Sequence, residues 1–433
     1  MIGIIEKTEL KTGLSKFHAE LAAFSEFGAG TIIERRNFGE TIVPVYQNEF
    51  WTAKQRDGHS IHEISYRACY KPQLPRFFIE RLTQKNDVVY DPFLGRGTTL
   101  IEANLLGRRV VGNDVNPLSA ILTAPRLSPP NIFEIKQRLE KVTLQKISCD
   151  DSELLVFFNP QTLSEILAWR KYFAERRENS KFDKIDAWLE MISCNRLTGH
   201  SKGFFSVYTL PPNQAASVKS QLKINEKRGQ TPEYRNTKEI IYRKSHQLLR
   251  YKLPLNYGQN PFQINTGSAD STPEIKSETV DLIVTSPPFL DIVNYRQDNW
   301  LRMWLANVEV EETACWQIKN LSDWLAKMKS AFEEFYRVLK PSGVIAFEVG
   351  EIRKGNLLLE NEIVKVAMKV GFVAECILIN AQNFTKTANC WGVKNNEAGT
   401  NTNRIVILTK NESSDFAFYK PRPTSSFRQP TLF

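Results

Sequence analysis

A short turn at residues 286–289 has the composition of a site for a flat ring that carries an amino group. Ser286-Pro287-Pro288-Phe289 follows residues 280–285, an apolar run with the character of a buried strand. The two prolines fix φ at roughly −65° and remove two N–H donors, so the turn presents carbonyl oxygens. The Ser286 hydroxyl and a carbonyl can accept hydrogen bonds from an exocyclic amine, while Phe289 stacks on its ring.

A second turn, at residues 91–99, has the composition of a loop that a ligand approaches closely. It reads Asp91-Pro92-Phe93-Leu94-Gly95-Arg96-Gly97-Thr98-Thr99 and leads from an apolar strand into a helix. Glycine permits positive φ and close backbone approach, and the start of a helix favours a carboxylate ligand. Asp91 would repel a pyrophosphate but suits an amino group such as that of a methionine moiety. An ordinary tight turn is the alternative.

Two further carboxylates stand where a nucleoside could be held. Asp114 ends the next apolar stretch, 17 residues after Gly97, a position suited to accepting hydrogen bonds from ribose hydroxyls. A helix N-cap is the alternative for Asp114. Asp270 lies in a Gly-Ser-Ala-Asp-Ser turn and is a candidate acceptor for an adenine amino group, with a surface turn as its alternative.

Basic residues are concentrated in one segment, 196–252. It contains twelve Lys/Arg and three Asp/Glu, so its net charge of +9 equals that of the whole chain. Tyrosine and phenylalanine are interleaved with these charges, a pattern typical of binding to a polyanion with stackable bases. A solvated basic face without a partner is the alternative. The candidate nucleic-acid contacts are Lys202, Lys227, Arg228, Arg235, Arg243 and Lys244.

Several classes of protein are disfavoured by composition. No apolar run approaches the roughly 18 residues of a membrane-spanning helix, and the N-terminus is charged too early for a signal peptide. The six cysteines form no CxxC pair and the five histidines no HExxH spacing, so we expect no metal site. No cysteine follows a proline, which argues against cytosine-C5 chemistry. We expect a cytoplasmic protein.

The chain divides into five segments. Strands alternate with helices in residues 51–130 and again in 263–410, which predicts an α/β fold with a mostly parallel sheet. Between them, residues 131–262 predict an inserted, largely helical and loop subdomain that contains the basic segment. Residues 1–50 are assigned to an N-terminal extension, and residues 411–433 to a tail.

Apolar periodicity predicts the individual elements. The predicted helices are near 16–27, 75–82, 98–106, 133–143, 161–177, 183–193, 321–339 and 359–370. The predicted strands are 87–91, 109–114, 280–285, 344–349, 373–378 and 404–408.

These motifs together resemble the amino-methylating DNA methyltransferases. The 91–97 turn is similar to the family's cofactor motif, and 286–289 to its catalytic motif Asp/Asn/Ser-Pro-Pro-aromatic. Residues 70–78, with Lys71 and Pro72, are similar to its helix beside the methionine part of the cofactor. Residues 404–410 look like its closing strand. The resemblance covers residues 60–130 and 263–410.

The resemblance implies a Rossmann-like fold that binds S-adenosylmethionine and methylates a base amine in duplex DNA. Serine at position 286 is typical of the cytosine-N4 branch, whereas aspartate or asparagine is typical of adenine-N6 enzymes. Many cytosine-N4 enzymes have the two motifs in the reverse order, whereas this order places a target-recognition region between them, here the insert.

Three alternatives remain open: an adenine-N6 enzyme, an RNA base-amino methyltransferase, and a non-catalytic DNA-binding relative. The cytosine-N4 hypothesis implies a bacterial-type, nucleoid-associated protein that belongs to a restriction-modification system. It leaves open a cognate restriction endonuclease as a partner.

Overall fold

The computed structural model describes residues 13–52, 58–67, 69–149, 152–288, 295–308, 318, 320–349, 357–385, 398–410 and 418–419. The predicted stacking residue Phe289 lies outside these ranges, as do most of the predicted tail 411–433 and the first twelve residues.

One sheet runs through the described part of the chain. Its strands are β1 (Ile32–Phe38), β2 (Thr41–Asn48), β3 (Val88–Asp91), β4 (Arg109–Asp114), β5 (Phe262–Thr266), β6 (Val280–Thr285), β7 (Leu339–Val349), β8 (Val373–Thr385) and β9 (Ala398–Thr409). Their order across the sheet is β1-β2-β8-β9-β7-β6-β3-β4-β5.

Most neighbouring strands of this sheet are parallel. Strands β5, β4, β3, β6 and β7 form a parallel block, and β2 pairs with β8 in parallel. The antiparallel pairs are β1 with β2, β7 with β9, and β8 with β9. The predicted α/β class with a mostly parallel sheet is therefore confirmed.

The order of the strands reverses between β3 and β6. From β3 the chain adds β4 and β5 on one side, and it then returns to place β6 and β7 on the other. In open parallel sheets, ligands bind at the carboxyl ends of the strands where such a reversal occurs. Asp91, the last residue of β3, and Ser286, directly after β6, therefore lie at the expected place.

Helices cover both faces of the sheet. They are α1 (Gly13–Ala23), α2 (Gln73–Leu82), α3 (Thr98–Leu105), α4 (Leu118–Leu127), α5 (Ile132–Lys141), α6 (Pro160–Glu178), α7 (Lys184–Arg196), α8 (Val218–Arg228), α9 (Thr237–Leu248), α10 (Tyr295–Leu305), α11 (Leu321–Val338) and α12 (Leu359–Val370).

Every predicted helix and strand has an observed counterpart, although several boundaries differ. The last strands are longer than predicted, because β8 and β9 pair with each other beyond the apolar stretch. Helices α8 and α9 lie in the basic segment 196–252, for which apolar periodicity predicts no individual helix. Helix α8 has a Ser217 cap at one end and Gly229 in a left-handed conformation at the other.

Residues 32–48, within the predicted N-terminal extension, form β1 and β2 of the central sheet. The register pairs Val45 with Ile377 and Tyr46 with Leu378, so β2 continues the sheet beyond β8. Two residues of the predicted tail also contact the body of the protein. Tyr419 N donates to the Arg81 carbonyl (2.8 Å), and the Phe418 ring packs 6.2 Å from that of Phe17.

The inserted helices share a hydrophobic core with one face of the sheet. Buried side chains of α6 and α7 belong to the same cluster as β3, β4 and α3, whereas α11 and α12 cover the opposite face. Two buried indoles tie the insert together, because Trp169 Nε1 donates to Thr237 Oγ1 (3.0 Å) and Trp188 Nε1 to Ser245 Oγ (2.9 Å). The insert is thus packed onto the sheet and does not stand apart from it.

Among the described residues, no helix is both long and apolar enough to cross a membrane. Nor does this part of the chain bring three His, Cys, Asp or Glu side chains together where they could hold a metal ion.

Candidate functional site

A cavity opens at the carboxyl ends of β3, β4 and β6. Its wall combines the glycine turn, the residues after β4 and the Ser-Pro-Pro turn with aromatic rings from other segments. The lining residues are Tyr66, Cys69, Tyr70, Pro92, Phe93, Leu94, Gly95, Arg96, Thr98, Asp114, Val115, Asn116, Ala269, Ser286, Pro288 and Tyr295. Two turns that lie far apart in the sequence therefore share one cavity.

Asp91 connects the ends of the two central strands beneath this cavity. The Thr285 hydroxyl donates to Asp91 Oδ1 (2.6 Å), and the Tyr70 hydroxyl donates to Oδ2 (3.2 Å). Thr99, in the first turn of α3, donates to the Val284 carbonyl of β6 (3.1 Å). The Asp91 side chain is 1% exposed. Its hydrogen bonds therefore fix the spacing of the glycine turn and the Ser-Pro-Pro turn.

Asp114 holds the glycine turn in place from β4. Its carboxylate accepts hydrogen bonds from Gly95 N (2.7 Å) and Asn116 N (2.8 Å). Gly95 and Gly97 have φ of 51° and 74°, which other residues rarely adopt. A Cβ at Gly97 would lie 2.3 Å from Thr123 Cγ2, so that position also requires the absence of a side chain. The turn is therefore rigid and closely packed.

The cavity offers the groups that a nucleoside ligand needs. Tyr66 and Tyr295 stack with ring centroids 6.5 Å apart and form an aromatic wall. Asn116 Nδ2 is buried and has no hydrogen-bond partner among the described residues. Asp114 still has acceptor capacity for hydroxyl groups. An unpartnered donor, an acceptor and flat rings around a glycine cradle fit the adenosine part of S-adenosylmethionine.

Arg67 anchors the aromatic wall. Its Nη1 donates to both carboxylate oxygens of Asp298, at 3.0 and 2.9 Å. Arg67 follows Tyr66 in the chain, and Asp298 lies in the first turn of α10, which begins at Tyr295. Because this charge-assisted contact joins the segment of Tyr66 to the helix that begins at Tyr295, the ion pair holds the two rings against each other.

The Ser286 hydroxyl interacts with a buried carboxylate. Glu348 of β7 is 4% exposed and accepts hydrogen bonds from Ser286 and from Asn403 Nδ2, the latter at 3.2 Å. Burial raises the pKa of Glu348, although both of these hydrogen bonds act to lower it. On the other side of the turn, Trp324 Nε1 donates to the Pro288 carbonyl (3.0 Å). The turn is thus held from two directions.

Some predicted ligands do not line the cavity. Asp91 and Gly97 lie behind its wall, and Lys71, Pro72 and Pro287 are also absent from the lining. The Asp270 carboxylate forms an ion pair with Lys327. Burial opposes ionisation of Asp270, but hydrogen bonds outweigh it and lower its pKa. The neighbouring Ala269 is the residue of this turn that lines the cavity.

The sequence motifs assign no role to Tyr66, Asn116 or Glu348. Asn116 follows Asp114 by two residues, so its nearness to the strand end was the available signal. Glu348 is the penultimate residue of β7, the strand next to β6, and a carboxylate near such a strand end is a similar signal. Nothing local distinguishes Tyr66, because its position depends on the ion pair between Arg67 and Asp298.

The basic segment separates into exposed and buried side chains. Lys202, Lys227, Arg228 and Arg243 are exposed, and Arg228 stacks 3.8 Å over the exposed Tyr208 ring. Arg235 is half-buried and pairs with Glu233 (3.2 Å). Lys244 is 6% exposed and points into the protein. Only the exposed members are available to a broad polyanion surface.

The chain is similar to a DNA methylase family and to several Type II methyltransferases. A family model described as a DNA methylase matches residues 30–120 and 280–429. The Type II methyltransferase M.BsoBI of Geobacillus stearothermophilus is 24% identical over 71% of this chain and 65% of that protein. The Type II methyltransferase M.MvaI of Kocuria varians is 26% identical over 59% and 60%.

A short region is more similar to a third protein. The Type II methyltransferase M.MjaII of Methanocaldococcus jannaschii is 31% identical over 21% of this chain and 16% of that protein. The chain spans less than two thirds of the length of each of these curated relatives.

Asp91 gives the site a testable pH dependence. Burial raises its pKa from 3.8 to about 6, against the hydrogen bonds from Thr285 and Phe93. The folded state therefore holds this proton more tightly than the unfolded chain, so its contribution to stability falls as the pH rises between these two values. Relative to Asp91→Asn, the wild type should lose on the order of 3 kcal/mol between about pH 4 and pH 7. Urea denaturation at a series of pH values measures this difference, and a constant difference would contradict it.

Proposed function

The chain belongs to the DNA methylase family of the N6/N4 type, and from this premise we propose that it methylates the N4 amine of cytosine in duplex DNA with S-adenosylmethionine. The observation that carries the proposal is that Ser286 and Pro288 line the same cavity as Gly95 and Asp114. A base amine and a nucleoside-type methyl donor would therefore meet there.

The glycine turn and its neighbours would hold the methyl donor. Asp114 would accept from ribose hydroxyls, Asn116 Nδ2 would donate to the purine ring, and Phe93 would contact its face. The amino-acid part would lie toward Tyr70 and Thr98, at the N-terminus of α3, which favours a carboxylate. When bound, S-adenosylmethionine supplies an electrophilic methyl group. Lys71, Pro72, Asp91, Gly97 and Asp270 would act as neighbours of this site.

Ser286 would accept a hydrogen bond from the base amine. The lone pair of such an amine is delocalised into the ring, so the nitrogen is a poor nucleophile until its protons are held out of the ring plane. Because the Ser286 hydroxyl donates to Glu348, its oxygen lone pairs remain for the amine. The Pro287 carbonyl would accept a hydrogen bond from the second N–H of the amine. Glu348 is therefore a positioning residue that orients Ser286.

The target base would leave the double helix to reach this cavity. Unstacking costs a few kcal/mol, which aromatic contacts and phosphate contacts offset. Tyr66 and Tyr295 offer a flat face beside the Ser-Pro-Pro turn, in addition to the proposed stacking on Phe289. The exposed Lys202, Lys227, Arg228 and Arg243 would bind the backbone.

Serine at the first position of the catalytic turn favours cytosine, because aspartate or asparagine is typical of the adenine-N6 branch. An adenine-N6 enzyme is the second candidate, since the serine alone carries this distinction. The Type II names of three relatives support a place in restriction-modification, with a cognate endonuclease as the implied partner. An RNA target or a non-catalytic role has less support, because the family match is to a DNA methylase.

The proposed reaction predicts a specific product. Incubation with S-adenosylmethionine labelled in its methyl group and with mixed duplex DNA should give labelled N4-methylcytosine. Digestion to nucleosides followed by chromatography identifies the product. Label in N6-methyladenine would shift the assignment to the adenine branch, and label in RNA but not in DNA would exclude the DNA function.

The Ser286–Glu348 pair predicts two graded losses. Ser286→Ala should lower kcat on the order of 100-fold, because the amine loses an acceptor at the reacting centre. Glu348→Gln should lower kcat on the order of tenfold, since the glutamine amide can donate to Ser286 and occupy a lone pair. KM for S-adenosylmethionine and the melting temperature should change little in both variants. Glu333→Gln, an exposed change on α11, is the matched control. Unchanged kcat in Ser286→Ala would contradict its role.

The exposed basic side chains predict a change in salt dependence. The double change Lys227→Glu and Arg228→Glu should weaken binding to a mixed duplex and reduce the slope of log K against log salt by about 1 to 2. Lys329→Glu on α11, an exposed residue outside the basic segment, should leave the slope unchanged. Fluorescence anisotropy at several salt concentrations measures both, and an equal slope in all three proteins would place the DNA-binding face elsewhere.

A further inference from the structure

A second cavity lies beside the first and is lined by basic side chains. It is formed by the segment before Tyr66, the end of α7, the loop at Phe204 and the last turn of α9. Its main lining residues are Ser65, Arg196, Phe204, Lys244, Arg250 and Tyr251. Ser65 lines this cavity and Tyr66 lines the first, so one backbone segment separates the two.

Two of these cations are buried without a carboxylate partner among the described residues. Arg196 is 9% exposed, and its guanidinium stacks 4.0 Å over the Phe204 ring. It donates to the Asn195 carbonyl (3.1 Å) and to Asn195 Oδ1 (2.7 Å), which are both neutral acceptors. Nη1 has no hydrogen-bond partner in the described part of the chain. The N–H groups on this nitrogen can therefore donate hydrogen bonds to a ligand in the cavity.

Lys244 is likewise a buried cation that contacts neutral acceptors and has one N–H left over in the described part of the chain. Its Nζ donates to the Glu63 carbonyl (2.6 Å) and to Gln247 Oε1 (3.0 Å), both neutral, so one of its three hydrogens has no acceptor among the described residues. Glu63 is the acid among the described lining residues, and Arg250 binds both of its carboxylate oxygens. The negative charge of Glu63 is therefore already matched.

Buried charges of one sign are unfavourable unless an opposite charge joins them. Arg302 adds a further buried cation next to Arg196, since its Nη2 donates to the Ser65 carbonyl (3.2 Å). Burial, followed by the charge of Arg196, lowers the pKa of Lys244 to about 7. A small anion in the cavity would relieve this repulsion and engage the donors left over on Arg196 and Lys244.

We infer that this cavity is a phosphate-binding site, built from Arg196 and Lys244, which takes either a backbone phosphate of a nucleic acid or a free phosphate. Arginine and lysine together supply planar and point-charge donors suited to a tetrahedral anion. The backbone source rests on the proposed function, because the site adjoins the cavity for the target base. A phosphate held there would fix the strand next to the flipped nucleotide.

Direct binding of an anion tests the site without any methyl transfer. Sulfate is the probe, because it is a tetrahedral dianion that does not titrate near neutral pH. It is titrated into the full-length chain while the chloride concentration is lowered to keep the ionic strength constant. Calorimetry should give saturable binding to the wild type and at least tenfold weaker binding to Lys244→Met. Methionine keeps the apolar stem, and an uncharged residue is tolerated at a buried position. Arg196→Gln is the second variant, and Lys329→Met, an exposed change on α11 outside the basic segment, is the control.

The pH dependence of sulfate binding is a second readout. Groups that face Lys244 are Arg196 on α7, Arg126 on α4, and Glu63 and Arg250 beside the cavity. Since a bound anion favours the protonated ammonium, sulfate affinity of the wild type should fall as the pH rises from about 6 to 9. Lys244→Met should lack this fall.

Two further measurements distinguish the sources. Inorganic phosphate is titrated into the same proteins, and a mixed duplex is titrated in low salt. Loss of duplex affinity in Lys244→Met, with a salt slope smaller by about 1, assigns the site to a backbone phosphate. If Lys244→Met loses binding of sulfate and inorganic phosphate but keeps its affinity for the duplex, the site takes a free anion. If it loses affinity for the inorganic anions and for the duplex, the site takes either ligand.

Equal binding of all three probes to wild type and both variants would overturn the inference. If sulfate binds as expected but no nucleoside is methylated, the proposed function fails and the anion site stands.

Discussion

The hydrogen bond between the Thr285 hydroxyl and the Asp91 carboxylate fixes the relation between the two central strands at their carboxyl ends. The glycine turn starts directly after Asp91, and the Ser-Pro-Pro turn starts directly after Thr285. A shift between β3 and β6 would therefore separate the two turns that face each other across the cavity. The second link, from Thr99 to the Val284 carbonyl, fixes the start of α3 in the same way.

The two turns are held by carboxylates that are buried, so each of these carboxylates needs hydrogen-bond donors around it. Asp91 and Glu348 both lie inside the sheet layer and accept hydrogen bonds from hydroxyls that belong to the Ser-Pro-Pro turn or adjoin it. Desolvation raises the pKa of both groups, so each is held as an acceptor only because donors surround it. The same hydrogen bonds that offset desolvation also orient Thr285 and Ser286. The geometry of both turns therefore depends on the same few contacts.

The inserted helices extend the site in a different manner. Their apolar faces join the core of the sheet, and this packing decides which basic side chains reach the surface. Lys227 and Arg228 remain exposed at the end of α8, whereas Arg196 and Lys244 face inward beside Ser65. One run of positive charge thus provides both an open basic surface and a second cavity lined by basic side chains, next to the cavity that Ser286 lines.

The sequence by itself determined the parallel α/β class, the two turns and most helix and strand positions, because these depend on residues a few positions apart. It also pointed to Asp114 and Ser286 at strand ends. Only the tertiary structure decided that Asp270 pairs with Lys327 and that Glu348 accepts from Ser286. Strand order and the packing of the insert bring such partners together across long stretches of chain, and local periodicity carries no information about either.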